Sequence, residues 1–223
     1  MQFGRPVAKS AIKSVVDAWT TKMVRALAAK PLSLTELDRL LPSVNYPALE
    51  RRLTAMRLAG QIEAIPGRAG STPYRVTRWL REAVGPLVAA ANWESTHHPT
   101  GREPLGRLDF EAILLLSIPL LTLPSKASGT CQLTVDLSNS RQEVAGAVVV
   151  VENGHPVSCA ASQTTESTST VRGPGPAWLA ALTGEFQTGI VFEGDRDLGE
   201  DLVTALARFC ARHFRPTSPP SRP

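Results

Sequence analysis

Apolar residues in the first third of the chain follow helical spacing, and they predict short helices separated by turns. The apolar repeat over residues 12–27 predicts a long first helix that Pro31 ends. Ser33 or Thr35 can cap a short second helix, which Pro42 stops. Two helices therefore precede a tight turn.

A third helix is predicted after this turn. Asn45 is a favourable N-cap residue, and Gly60 is expected to end the helix. The apolar positions at helical spacing, which should form its buried face, are Leu49, Leu53 and Met56.

The next segment alternates as a β-hairpin does. Ile62 and Ile65 lead into the turn-forming residues 66–70, and Tyr74 and Val76 form the returning strand. Arg68 would then lie at the tip. A last helix over residues 80–93 is expected to continue through Gly85 and Pro86 with a kink.

The second half of the chain is predicted to mix strands with helices. An apolar helix over residues 108–123 is expected to bend or stop near Pro119, and strands are expected at 132–137 and 146–157 around an Asn153-Gly154 turn. Weaker strands at 159–162 and 167–171, a helix at 176–183, a strand at 190–192 and a helix at 198–214 complete the pattern. Asp195 is expected to cap the last helix.

These patterns predict an α+β protein of two domains. Residues 1–94 form the first, and the polar residues 95–106, with two prolines, form a linker. Residues 107–214 form the second domain. The proline-rich residues 215–223 are expected to be a disordered tail.

Charge divides at the same place. The chain carries +4 at pH 7, but residues 1–100 hold 14 basic and 7 acidic side chains, whereas residues 101–223 hold 10 basic and 13 acidic ones. A basic half joined to a mildly acidic half indicates that only the first meets a polyanion.

The sequence shows no pattern of a membrane span or of a signal peptide. The longest apolar run, residues 112–123, is interrupted by polar residues and is shorter than the roughly 20 residues that a membrane span needs. Met1 is not followed by a signal-peptide pattern, so we expect a cytoplasmic protein that does not contact membranes.

A short helix pair, a tight turn and a hairpin form the arrangement that places a helix in the DNA major groove. Arginine can bind guanine there, and asparagine can pair with adenine or cap its own helix. A solvated arginine face is the alternative, but the basic excess and the hairpin arginine favour duplex DNA. The candidate DNA-binding residues are Asn45, Tyr46, Pro47, Ala48, Arg51, Arg52, Thr54, Arg68 and Ser71.

The segment from Trp19 to Trp93 resembles the HxlR-type branch of the MarR-like winged helix–turn–helix regulators. The resemblance is carried by SLTELDRLLPSVN, LERRLTAMRLAGQI and YRVT. It implies that residues 45–52 form the recognition helix, that residues 61–76 form the wing, and that the first and last helices make a homodimer.

Two departures from that family matter. Ser33-Leu34 stand where an Arg-Phe pair is usual, which removes one expected phosphate contact. Residues 1–100 contain no cysteine, so redox sensing by this domain is not expected.

The second half resembles the sterol carrier protein type-2 fold over RGPGPAWLAALTGE and TGIVFEGDRDLGEDLVTAL. That resemblance implies an α/β sandwich with a tunnel for hydrophobic ligands between sheet and helices. It also associates the two-domain arrangement with actinobacterial regulators. The candidate ligand-binding residues are Ile113, Leu116, Val135, Val149, Trp178, Leu182 and Phe192.

Other chemistry receives little support from the residues. His97 and His98 lack the spacing of a metal site, and no nucleophile–base arrangement is visible, so neither a cofactor nor an enzyme activity is expected. The three cysteines are expected to be buried small residues.

The resulting hypothesis is a homodimeric transcriptional repressor that binds a pseudo-palindromic DNA operator and responds to a small hydrophobic effector. The alternative is a carrier or sequestering protein, in which the winged helix serves mainly for dimerisation.

Overall fold

The computed structural model describes residues 18–67, 71–97, 105–137, 143–162, 166–185 and 189–212. Its first half is helical apart from one hairpin. The elements are α1 (Ala18–Ala29), α2 (Leu34–Leu40), α3 (Tyr46–Leu58), β1 (Ile62–Ala64), β2 (Tyr74–Val76), α4 (Arg78–Glu82) and α5 (Val84–His97).

The second half carries the main sheet. Its elements are α6 (Arg107–Ser117), a 3-10 turn (Ile118–Leu120), β3 (Gly129–Asp136), β4 (Val144–Glu152), β5 (His155–Ala160), β6 (Ser169–Pro174), α7 (Gly175–Leu182), β7 (Val191–Gly194) and α8 (Arg196–Arg212). The predicted α+β class is confirmed.

Side-chain caps fix the start of α2. Ser33 is its N-cap, and the Ser33 Oγ accepts the Glu36 N–H at 3.3 Å. The Glu36 carboxylate accepts the Ser33 N–H at 2.7 Å, and this bond holds the pKa of Glu36 below its usual range. The two bonds satisfy donors that the helix itself leaves free.

The hairpin is a two-stranded sheet with one additional bridge to Leu32. β1 and β2 pair antiparallel with Ile62 opposite Val76, and Tyr74 also exchanges two backbone hydrogen bonds with Leu32. Leu32 lies between α1 and α2, so this bridge ties the hairpin to the helices.

The last helix of the first half differs from the prediction. Two helices, α4 and α5, replace one kinked helix, and Pro86 lies in the first turn of α5, where a proline is tolerated because its missing N–H has no partner there. Helix α5 also extends to His97, so the first positions assigned to the linker are helical. Residues 98–104 lie outside the described part.

The main sheet has the strand order β5-β4-β3-β6-β7 and is mixed: β3 and β6 are parallel, and the other neighbours are antiparallel. The Asn153-Gly154 turn joins β4 to β5 with positive φ at both residues, as the sequence predicted. The predicted cap on α8 is also present, because Asp195 Oδ1 accepts the Leu198 N–H at 3.2 Å.

Helices cover one face of this sheet. Alternate residues of β3 and β4 on that face are fully buried, among them Leu133 and Val149. Helix α6 packs across β4, and α8 packs on β6 and β7. Gly199 allows this close approach, since a Cβ there would lie 2.9 Å from Val171 Cγ2 and 3.0 Å from the Phe192 ring.

The two halves also pack on each other. Helix α1 lies against α6, and α5 lies against α7 and α8, so that the buried apolar cluster is continuous across the junction. A Cβ on Gly85 would lie 2.9 Å from the Cys210 carbonyl oxygen, which shows how closely α5 approaches α8.

Polar contacts cross the same junction. Arg25 pairs with Glu111, a buried carboxylate that Arg107 also binds at 2.7 Å. Asn92 Nδ2 donates to Thr183 Oγ1 at 3.0 Å. Each half therefore supplies partners that the other needs.

Candidate nucleic-acid interface

The N-terminus of α3 is held by its own cap. Asn45 Oδ1 accepts the Ala48 N–H at 2.9 Å, and Pro47 occupies the first turn. Of the two roles open to Asn45 from the sequence, capping is the one that the structure contains. The residue as a whole is exposed to solvent.

The inner face of α3 is the predicted one. Leu49, Leu53 and Met56 are at most 4% exposed, and they fix the helix against the rest of the first half. At 3.6 residues per turn, the positions directly opposite this face are Pro47, Arg51, Thr54 and Leu58. All four are exposed to solvent, which makes them the outward ridge of α3.

The flanks of this ridge contain the remaining predicted residues of α3. Tyr46 is 46% exposed at the first turn, whereas Ala48 and Arg52 are half-buried. Arg57 and Leu58 extend the exposed surface by one turn and were not among the predicted residues. The 3.6-residue period that relates Arg51 and Thr54 continues to position 58, so the sequence pattern could have identified Leu58.

Arginine charge on α3 is available to a ligand. Neither Arg51 nor Arg57 makes an ion pair with a carboxylate in the described part of the chain. By contrast, Arg75 on β2 binds Glu63 at 2.7 Å, and Arg78 binds Glu82 at 2.6 Å. Arg51 and Arg57 therefore give α3 positive charge that no carboxylate of the described residues neutralises.

The hairpin follows α3 directly, and its tip is only partly described. Gly67 and Ser71 are both exposed, and Ser71 is the predicted contact residue on this side. Arg68, the predicted tip residue, lies outside the described residues. Its role as a phosphate contact stays a prediction.

The residues predicted to line a hydrophobic tunnel are parts of the packed core. Val135, Val149, Trp178 and Leu182 are at most 1% exposed and Leu116 is 5% exposed, while Ile113 and Phe192 are half-buried against the same cluster. The Trp178 indole N–H donates to the Thr134 carbonyl oxygen at 2.9 Å. Trp178 is thus fixed by packing and by a hydrogen bond.

All three cysteines are free thiols; Cys131 and Cys210 are buried as predicted, whereas Cys159 is half-buried. Burial raises the pKa of Cys131 to about 11, and it raises the pKa values of Cys159 and Cys210 to about 12. Thiolate is the reactive form, so none of the three has the electronic state of a thiol sensor.

The described residues contain no cluster of three or more histidine, cysteine or acidic side chains that could hold a metal ion. No helix among them combines the length and the apolar character needed to cross a bilayer.

Comparisons with known proteins give weak likenesses. No family model matches the chain, and no curated protein sequence matches it. The crystal structure of ytcD, a proposed HTH-type transcriptional regulator, is similar with 19% identity over 42% of this chain and 97% of that chain, at a TM-score of 0.33.

A second solved structure is similar at the same level. It is the solution structure of TT1886 from Thermus thermophilus, a conserved hypothetical protein for which a sterol carrier role has been raised. The identity is 12% over 42% of this chain and 76% of that chain, with a TM-score of 0.33. At these values neither likeness assigns a family or a function.

Proposed function

We propose that this protein is a DNA-binding transcriptional regulator that reads duplex DNA with α3. The observation that carries the proposal is the outward ridge of α3, an exposed surface with an unpaired Arg51, backed by a fully buried apolar face. A helix held rigidly in this way can enter the major groove without disturbing the core.

The chemistry of the ridge suits base recognition. Arg51 can donate two parallel hydrogen bonds to guanine, and the Thr54 hydroxyl and methyl groups can contact an adenine or a thymine. Arg57, one turn further along and to one side, is placed to contact phosphate, which adds affinity without sequence preference. The hairpin, with Ser71 and Arg68, would contact the DNA sugar-phosphate backbone beside the major groove.

A homodimer on a pseudo-palindromic operator is part of the proposal. The resemblance assigned dimerisation to the first and last helices, but in the described part α1 and α5 already pack on the second half of the same chain. We therefore propose that the dimer contact uses the exposed parts of α4 and α5, which carry Trp79 and Trp93 at 54% and 56% exposure. Exposed tryptophans are frequent at interfaces.

The proposal has two further parts. The protein represses transcription under the control of a small effector, and it acts by binding and not by catalysis. An effector shifts operator affinity only as far as it binds the two states of the regulator differently. A tunnel among the predicted residues would require Trp178 to leave its packed position and its hydrogen bond, so the core is not our preferred effector site.

Selection from a library of random DNA duplexes tests the main proposal. We expect an enriched two-fold symmetric sequence, and we expect Arg51→Ala to lose preference at one base pair of each half-site. Arg208→Ala is the control, because Arg208 is an exposed arginine of α8, a helix that packs on α5, α7 and the main sheet. The absence of any enriched sequence would refute a sequence-specific regulator.

A further inference from the structure

A cleft lies at the junction between the two halves. Its volume is about 310 Å³, at the lower end of the roughly 300–1,000 Å³ that ligand pockets occupy. The end of α1, the strand β2 and helix α4 form one side. The 3-10 turn and the edge strand β5 form the other.

The charged lining of this cleft is entirely basic. Lys30, Arg75 and Arg81 line it, and no aspartate or glutamate does. Arg75 is neutralised by Glu63, but Arg81 makes no ion pair within the described residues. The thiol of Cys159, which also lines the cleft, adds no negative charge, because burial raises its pKa to about 12.

Arg81 is the cation of the cleft that backbone carbonyl oxygens hold in place. Its Nη1 donates to the Leu115 and Leu116 carbonyl oxygens at 2.9 and 3.2 Å, and its Nη2 donates to the Ala28 carbonyl oxygen at 3.3 Å. A guanidinium group has five N–H donors, so two are left without a partner in the described part of the chain. Burial lowers the pKa of Arg81, which shows that its charge is poorly solvated.

The remaining lining is mostly apolar. It includes Leu27, Pro31, Pro119 and Pro156, which surround the basic side chains. A ligand that suits both parts carries one anionic group for the basic side chains and a short apolar body for the prolines and the leucine. Inorganic anions would leave the apolar surface uncovered.

We propose that this cleft binds a small organic carboxylate with an apolar body. The carboxylate would accept hydrogen bonds from Arg81 and meet the charge of Lys30, and the apolar body would lie against Pro119 and Pro156. Charge-assisted hydrogen bonds of this kind are the stronger class.

The cleft is placed to act as the effector site of the regulator, and this second step rests on the proposed function. Its two sides belong to the two halves of the chain, so a bound carboxylate would connect the DNA-reading half to the sheet. Binding would then favour one relative arrangement of the halves and change operator affinity.

Isothermal titration of the full chain without DNA tests the site. The probes are acetate, benzoate and octanoate, and the matched neutral probes are benzamide and octanamide. We expect benzoate or octanoate to bind, acetate to bind more weakly, and the amides not to bind. Equal binding of an acid and its amide, or no binding of any acid, would overturn the proposal.

Variants locate the binding. Lys30→Gln should weaken binding about tenfold through the loss of one charged partner. Ala29→Glu places a negative charge on the cleft wall and should abolish binding. Arg208→Gln and Ala90→Glu are matched controls, since both are exposed helical residues outside the cleft, and they should bind like the unmodified chain. Equal affinity in all four variants would overturn the assignment.

Two competing ligands distinguish a carboxylate site from a simple anion site and from a DNA-backbone site. Inorganic phosphate that displaces benzoate with equal affinity would show a simple anion site and would overturn the carboxylate proposal. Random duplex DNA that weakens benzoate binding without limit as its concentration rises would show that these cations contact the DNA backbone, which also overturns the proposal. A weakening that reaches a plateau is the reciprocal coupling expected of an effector site and would support it.

A DNA-binding measurement with and without benzoate then tests the regulatory step. A shift in operator affinity that Lys30→Gln removes would support that step, and an unchanged affinity would overturn it. Failure to bind any DNA would refute the proposed function, while the titration result on the cleft would stand.

Discussion

Arg81→Met tests whether the two halves of the chain are held together as the structure shows. The Arg81 guanidinium donates to three carbonyl oxygens, and these belong to the last turns of α6 and α1. Carbonyls at the end of a helix have no partner within the helix. Arg81 thus caps one helix from each half at once, and methionine keeps its length and apolar stem without the donors.

The expected cost follows from these bonds. A hydrogen bond to a charged group contributes about 1.5–3 kcal/mol, but two of the three are long, at 3.2 and 3.3 Å, and the poorly solvated charge of Arg81 regains water in the unfolded chain. We therefore expect Arg81→Met to lower the free energy of unfolding by about 3 kcal/mol. Arg81→Lys should cost roughly half as much as Arg81→Met. Lysine keeps a charged donor, but its ammonium group cannot reach all three carbonyl oxygens.

Equilibrium unfolding in urea measures this loss, followed by tryptophan fluorescence and by circular dichroism in parallel. Arg78→Met is the matched control on the same short helix. The Arg78 side chain is 81% exposed and pairs with Glu82 of the same helix, so its loss should cost less than about 0.5 kcal/mol. An Arg81→Met variant no less stable than Arg78→Met would refute the reasoning, and so would two separate unfolding transitions in the unmodified chain.

Three further predictions test other parts of the molecule. Arg51→Ala should weaken specific DNA binding by roughly 1–3 kcal/mol in a fluorescence anisotropy titration, and an equal loss on non-specific DNA would show that Arg51 reads no base. Gly199→Ala should destabilise the fold by about 1–3 kcal/mol, because its Cβ meets Val171 and Phe192; unchanged thermal unfolding would contradict this packing. Cys159 and Cys210 should react with iodoacetamide at pH 8 more than about 100-fold slower in the folded chain than in urea, since their pKa values are raised to about 12. Because the folded pKa values are the raised ones, stability should be unaffected below pH 9 and should fall as the pH rises from 9 toward 12, and a flat profile there would contradict the burial.

Local signals in the sequence predicted most of the first half. Caps and helical periodicity are short-range properties, so Ser33, Asn45 and the buried face of α3 could be located without tertiary information. The same holds for the Asn153-Gly154 turn, where both residues adopt positive φ. The break between α4 and α5 could not be predicted, because a proline is compatible with a kinked helix and with the first turn of a new one.

The junction between the halves was beyond a sequence-based prediction for a different reason. An apolar stripe shows that a helix face is buried, but it does not identify the partner, which for the described parts of α1 and α5 includes the second half of the same chain. Likewise, Trp178 fits both a packed core and a ligand tunnel by composition, and only its neighbours distinguish them. Arg81 binds backbone carbonyls 34, 35 and 53 residues away, and carbonyls carry no sequence signal.

The salt dependence of DNA binding by the full chain tests the central claim most directly. The affinity for a selected operator duplex is measured at several salt concentrations for the unmodified chain and for an Arg51→Ala, Arg57→Ala double variant. If the outward ridge of α3 meets DNA, the unmodified chain binds the operator with an affinity that falls steeply with salt. The double variant then shows a shallower slope and no preference at the base pair that Arg51 reads in each half-site. Identical slopes and identical operator preference in the two proteins would contradict the account.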